Sequence, residues 1–201
     1  HRIWILGNSS TATRYLTPNH SIQQSNCVDM GTSHFVGVDS CPAGWIATSI
    51  GPGGTETETY ETFERVYENW REAKQILIDI PIGFPEGERR TCDTKDSDLL
   101  GCRGNSVFYP PCRSAAEMEE YDAANEEHRN EVGHGLSQQA HSIRNKILQV
   151  EEVIGSEFGG TVKESHPELC FAALNNQPIA YPKISCAGRG YRMELLNKEE
   201  V

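Results

Sequence analysis

The sequence predicts an α/β fold: a mixed five-stranded sheet flanked by helices, with a helical and irregular insertion between the fourth and fifth strands. Three observations point there. Two short apolar runs, HFVGVDSCPAGW from His34 to Trp45 and QILIDIPIGFP from Gln75 to Pro85, each end on one aspartate and break at Pro or Gly. Three strand-like segments come before one amphipathic helix, and the second apolar run follows it, an order that permits a right-handed crossover placing the fourth strand beside the first. At 201 residues the chain is long enough for one sizeable core and suits one domain.

Residues 1–29 read differently from the rest, being rich in Ser, Thr and Asn, with Asp29 as their one acid and no sustained period. They are expected to form a non-core extension, with the domain spanning 30–201 and a natural start near Met30. The first strand covers 34–39 and a Pro/Gly turn leads to the second at 45–50. Gly51-Pro52-Gly53-Gly54 then turns the chain into 55–60, where Thr and Glu alternate as on an exposed edge strand. Thr62 suits an N-cap for a helix with Phe63, Val66, Tyr67 and Trp70 on one face, and the fourth strand follows at Gln75–Ile80.

Residues 86–113 mix Gly, Pro, Cys and charge and read as irregular; long loops of this kind are usually functional or mobile. Helices are expected at 114–130 and 137–150, the second with Leu136, Ala140, Ile143, Ile147 and Val150 at helical spacing. Thr161–Lys163 reads as the fifth strand. A short helix at 168–174 and a last one from near Gly190 complete the reading.

Composition narrows the function. No stretch approaches the roughly 18 to 20 apolar residues of a membrane span, so a soluble, cytoplasmic protein with no membrane partner is expected. Seven cysteines make an odd number, and a disulfide framework is not expected. Cys92, Cys102 and Cys112 are evenly spaced, but no Cys-x2–4-Cys pair accompanies them, which disfavours structural zinc. A net charge of −11 argues against broad attraction to nucleic acid. It leaves room for a local basic groove from Arg89, Arg90, Arg103, Arg113 and Lys146, which equally suit an ordinary solvated face.

An aspartate in an apolar strand is expensive to bury unless paired, hydrogen-bonded or metal-bound. Asp39 and Asp79 both stand at strand ends. If their strands are adjacent and parallel, both carboxylates emerge at one sheet edge, where α/β proteins place their sites. That arrangement suits divalent-metal chemistry on phosphate esters. Asp39 before Ser40-Cys41-Pro42 equally suits a turn cap.

In order along the chain come VGVDSCPAGW, IDIPIGFP, Arg90 with Asp93, Leu100-Gly101-x-Arg103-x-x-Ser106-Val107-Phe108, Leu136-Ser137-Gln138-Gln139-Ala140, Asn145-Lys146-Ile147 and Glu164-Ser165-His166-Pro167-Glu168. This ordered set resembles domain-of-unknown-function family 429, regarded as predicted nucleases of ribonuclease H-like fold. The resemblance implies a metal-dependent nuclease or phosphodiesterase with Mg²⁺ or Mn²⁺ and a nucleic-acid or nucleotide substrate. On this chain it implies metal ligation by Asp39 and Asp79, with Glu164 as the next candidate, through hard oxygen ligands, and Glu168 in the same run is a further candidate ligand. Catalytic roles fall to Asp39, Asp79, Glu164 and His166.

His166 suits a proton shuttle or metal ligand, or a structural histidine bonding across the Pro167 turn. Glu168 suits a ligand or a helix-dipole partner. Arg90, Arg103, Ser106 and Lys146 are the expected substrate-binding residues, guanidinium forks being matched to phosphate oxygens. An Arg90–Asp93 pair that pins its loop is the alternative. Ribonuclease H-like nucleases usually take a further acid from a final helix, and the chain ends at Val201 before one, so a C-terminally incomplete domain is expected.

Two competing functions remain. One is a binding or regulatory module that keeps the fold without turnover. The other is a phosphotransferase of the actin and sugar-kinase type, which Pro42 disfavours where backbone N–H groups should face phosphate.

Overall fold

The computed structural model describes residues 34–155 and 160–199. The expected extension at 1–29 lies outside the described residues. Five strands form one sheet: β1 (Phe35–Cys41), β2 (Gly44–Gly51), β3 (Gly54–Tyr60), β4 (Gln75–Ile78) and β5 (Val162–Glu164), in the order β3-β2-β1-β4-β5. β1–β2 and β2–β3 pair antiparallel, whereas β1–β4 and β4–β5 pair parallel. This mixed open sheet is consistent with the ribonuclease H-like order.

Helix α1 (Phe63–Trp70) makes the crossover between β3 and β4. It starts where expected, for the Thr62 hydroxyl accepts the Arg65 N–H at 3.4 Å. Alternation along the strands then sorts the two sheet faces. Val36, Val38, Trp45, Ala47, Ile76, Ile78 and Val162 face one side, packing with Phe63 and Val66 of α1. Ile147, Val150 and Ile154 of α6 (Arg144–Ile154) complete this core. Trp45 and Phe63 are fully buried, with ring centroids 5.2 Å apart, and the Trp45 indole N–H donates to Gln149 at 3.0 Å. Each fully buried apolar side chain of this size stabilises the fold by about 1.5–3 kcal/mol.

Three helical expectations need correction. The segment read as irregular holds α2 (Thr91–Leu100) and a 3-10 turn at Gly101–Ser106. α2 is polar, and its buried residues are Asp93, Asp96 and Leu100, so no apolar stripe revealed it. The helix expected at 114–130 is two pieces, α3 (Arg113–Ala116) and α4 (Tyr121–Val132). The one expected at 137–150 is likewise α5 (Gln138–Ser142), capped by Ser137, followed by α6.

Buried Cys112, Ala115, Ala124, Val132, Leu136 and Ala140 give this insertion a small core of its own. Within it His128 Nδ1 accepts the Cys112 N–H at 3.0 Å, and burial pushes the imidazole pKa down, which favours the neutral ring that this bond requires. The chain closes with α7 (Pro167–Asn175) and α8 (Cys186–Glu199). No helix among the described residues is long and apolar enough to cross a membrane.

Candidate functional site

Parallel pairing brings the two aspartates together. β1 and β4 run in register from Phe35↔Gln75 to Val38↔Ile78, and the Asp79 N–H extends the ladder by donating to the Val38 carbonyl at 3.0 Å. One step beyond Val38↔Ile78 stand Asp39 and Asp79. Since Val38 and Ile78 face the core, alternation turns both aspartates to the opposite face, at the carboxyl edge of the sheet.

Asp39 is exposed, and one of its oxygens accepts the Ser40 N–H at 2.7 Å. Asp79 is half-buried, and its carboxylate accepts no hydrogen bond from the described residues. Burial raises its pKa, the Asp39 charge raises it further, and the result is pushed up to about 6. His166 and Lys183 pull the other way, and Glu164 adds a smaller upward push. A half-buried carboxylate without a hydrogen-bond donor, beside a second carboxylate, fits a hard divalent cation carrying much of its water shell. Among the described residues no group of three or more His, Cys, Asp or Glu side chains stands in metal-binding geometry. The fit is therefore to the aspartate pair.

The other expected ligands are held elsewhere. β5 pairs Glu164 with Ile78, so Glu164 shares the face of Ile78 and not that of Asp79. There its carboxylate takes two bonds from Arg90, at 3.0 and 3.1 Å, and the Ile82 N–H at 3.0 Å. Glu168 is buried against Arg192, with a 2.6 Å charge-assisted bond.

Arg90 also grips Asp93 through Nε at 2.7 Å and donates to the Ile82 carbonyl at 2.8 Å. Burial opposes its charge, but the bonds to Asp93 and Glu164 outweigh that and hold its pKa above the usual range. Of the two readings of Arg90, the geometry supports the loop pin. The guanidinium ties the loop after Asp79 to both α2 and the end of β5.

Two of the remaining expected substrate contacts, Ser106 and Lys146, have structural partners. Ser106 donates to the Arg103 carbonyl at 2.8 Å and closes the 3-10 turn. Lys146 donates to the Gly44 carbonyl at 2.8 Å and stands 4.5 Å from the Trp45 ring centroid, which anchors the β1–β2 turn. Arg103 Nε is buried without a hydrogen-bond partner.

His166 bonds through Nε2 to the Ser106 carbonyl at 2.9 Å. A carbonyl only accepts, so Nε2 carries the proton; Nδ1 is buried with no hydrogen-bond partner. Three residues near Asp79 escaped the sequence reading: Ser165, Cys170 and Lys183. Burial and then the Asp79 charge raise the Cys170 thiol, which lies 3.5 Å from the Ser165 hydroxyl. The signal for Cys170 was its place one turn beyond His166 on α7, where it reaches the His166 carbonyl at 3.3 Å. A concavity on the β3–α1 side, lined by Thr59, Tyr60, Glu61, Arg65, Glu68 and Asn69, shares no residue with this site.

An α/β protein whose mixed sheet carries a carboxylate pair at the ends of its first and fourth strands is the class that fold and site define. Within that class, the chain belongs to the family described as Protein of unknown function (DUF429), whose family model matches residues 37–200. No curated protein and no solved structure matches the chain.

Proposed function

We propose that this protein is a divalent-metal-dependent hydrolase of phosphodiesters, a nuclease or phosphodiesterase, with Asp39 and Asp79 as the ligands of Mg²⁺ or Mn²⁺. The observation that carries the reading is the in-register placement of two carboxylates on one face at one sheet edge, with Asp79 lacking a hydrogen-bond donor among the described residues. When bound, the cation would activate water and offset the charge that builds on the phosphate oxygens.

The chain's own residues supply the rest. Asp39 and Asp79 hold negative charge at the edge, and the Ser40 N–H fixes one Asp39 oxygen in direction. Arg90 and Glu164 hold the loop that follows Asp79 against the end of β5, which keeps the walls of the site at a fixed spacing. His166, oriented by the Ser106 carbonyl, offers the Nδ1 lone pair as a proton acceptor beside the acid pair.

The test is hydrolysis of bis(p-nitrophenyl) phosphate with Mn²⁺ by the parent chain and by Asp79→Asn. The parent is expected to release nitrophenolate and the variant to fall to the buffer rate while remaining folded. Equal rates in the two would remove Asp79 from the reaction. A second reading, a module that binds without turnover, is favoured by one observation: Glu164 and Glu168 are engaged by arginines, leaving two acids at the edge. Cation binding without hydrolysis by the parent would select it.

A further inference from the structure

We propose that Ser165 is a third oxygen ligand of the cation site, standing beside Asp79 on the side away from Asp39. The proposal rests on the acid-pair reading above and adds a ligand from the end of β5, where Glu164 was the expected one.

Strand register places it there. β4 and β5 pair in parallel from Ile76↔Val162 to Ile78↔Glu164, and the Ser165 N–H carries the ladder one step further by donating to the Ile78 carbonyl at 2.8 Å. One strand over, the Asp79 N–H makes the same bond to the Val38 carbonyl at 3.0 Å. Ser165 therefore stands to Asp79 as Asp79 stands to Asp39. Val38, Ile78 and Glu164 share one face, so alternation turns the three residues that follow them to the other. Across β1, β4 and β5 the row at the carboxyl edge reads Asp39, Asp79, Ser165. Neighbouring strands lie about 4.8 Å apart, so a cation over Asp79 has an oxygen-bearing side chain on each flank.

The hydroxyl has little structural work of its own. Ser165 does not cap α7, whose N-cap is His166. Its side chain meets the Cys170 sulfur at 3.5 Å and no other hydrogen-bond partner among the described residues. The Cys170 thiol donates its proton to the His166 carbonyl at 3.3 Å, so the sulfur receives the Ser165 O–H, and sulfur is a weak acceptor. Both lone pairs of the Ser165 oxygen are left without a donor among the described residues.

An oxygen in that state suits a hard cation. A serine hydroxyl serves as a neutral Mg²⁺ ligand beside bound phosphate in P-loop sites. Here it would add a ligand without adding to the repulsion between Asp39 and Asp79, which a third carboxylate would increase. Ser165 is half-buried, as Asp79 is. Its neighbours in the run are held by other groups, Glu164 by Arg90 and His166 by the Ser106 carbonyl. Ser165 is thus the member of the run that alternation turns to the acid pair.

The experiment titrates Mn²⁺ by calorimetry into the parent chain, Ser165→Ala, Ser165→Thr and Ser165→Asp, with Asp79→Asn as the reference. Ser165→Ala is expected to weaken Mn²⁺ about fivefold, less than an aspartate variant does because the ligand lost is neutral. Ser165→Thr keeps the hydroxyl and is expected to bind within about twofold of the parent. Ser165→Asp sets a carboxylate at the same position, and its binding is expected to be about tenfold tighter. A serine that serves only the Cys170 contact would leave Mn²⁺ affinity unmoved in Ser165→Ala.

Parental affinity in folded Ser165→Ala overturns the proposal, and if Asp79→Asn is weakened in the same titrations the acid pair stands without it. If Ser165→Ala does not fold, Ser165→Asp decides: tighter binding supports the third ligand, and parental or weaker binding overturns it. No Mn²⁺ binding by the parent overturns the acid pair and the third ligand together.

Discussion

Asp79 has an ordinary pKa near 3.8, and burial with the Asp39 charge raises it to about 6. Between those values the folded chain holds a proton that the unfolded chain has released. Stability from this group is therefore fully present below pH 3.8 and is lost as pH rises through 6. Asp79→Asn keeps the shape and removes the charge, so it removes this dependence. Urea midpoints of the metal-free proteins, taken from pH 4 to pH 7, should fall for the parent relative to the variant. At pH 7 the variant is expected to be at least as stable as the parent. Parallel curves would mean that Asp79 titrates alike in the folded and unfolded chain, and an unfolded variant would mean that its carboxylate serves a buried hydrogen-bond network. Cys170 needs no such experiment; its raised thiol argues against a reactive cysteine at the site.

Arg90 shows what happens between elements. It joins α2, the loop after β4 and the end of β5 through Asp93, Ile82 and Glu164. Arg90→Met would leave Asp93, 2% exposed, as a buried charge without its cation, beside Glu164. Losing one partner of a buried pair costs about 3–5 kcal/mol, which urea unfolding should register. Restoring stability by adding Asp93→Asn to Arg90→Met would identify the stranded carboxylate as the cause, and a loss below about 1 kcal/mol would reduce the cluster to a surface pair.

The elements differ in how openly the sequence declared them. β1 and β4 were legible because apolar runs ending in Asp and broken by Pro or Gly have few alternatives. α1 was legible through Thr62 and its apolar face. α2 was not, because its buried face carries Asp93 and Asp96 in place of an apolar stripe, with Asp93 held by Arg90 at the helix N-cap. The placement of Asp39 and Asp79 at one sheet edge was likewise readable, and the pairing of Glu164 with Arg90 was not. Strand register turns Glu164 to the face of Ile78, and register is set by neighbours that the local sequence does not name.

At the scale of the whole molecule, a net charge of −11 sets how a polyanion meets this protein. Lysines and arginines neutralise phosphates in non-specific binding, and the stronger the reliance on them the steeper the loss with salt. Here Arg90, Arg113, Lys146 and Arg192 have intramolecular partners. Retention of single-stranded oligonucleotide at low salt is therefore expected to require Mn²⁺ or Mg²⁺. Gel-shift titration with and without chelator checks this. Equal retention in chelator would point to a basic surface independent of the acid pair.

Calorimetric titration of Mn²⁺ at pH 7.5 tests the proposed cation site at the aspartate pair most directly. The parent is expected to bind one ion through Asp39 and Asp79, with affinity weakened at least tenfold in Asp39→Asn and in Asp79→Asn. Glu168→Gln is expected to bind as the parent does, because that carboxylate belongs to Arg192. Parental Mn²⁺ affinity in folded Asp79→Asn, or no binding by the parent, would contradict the two-aspartate site.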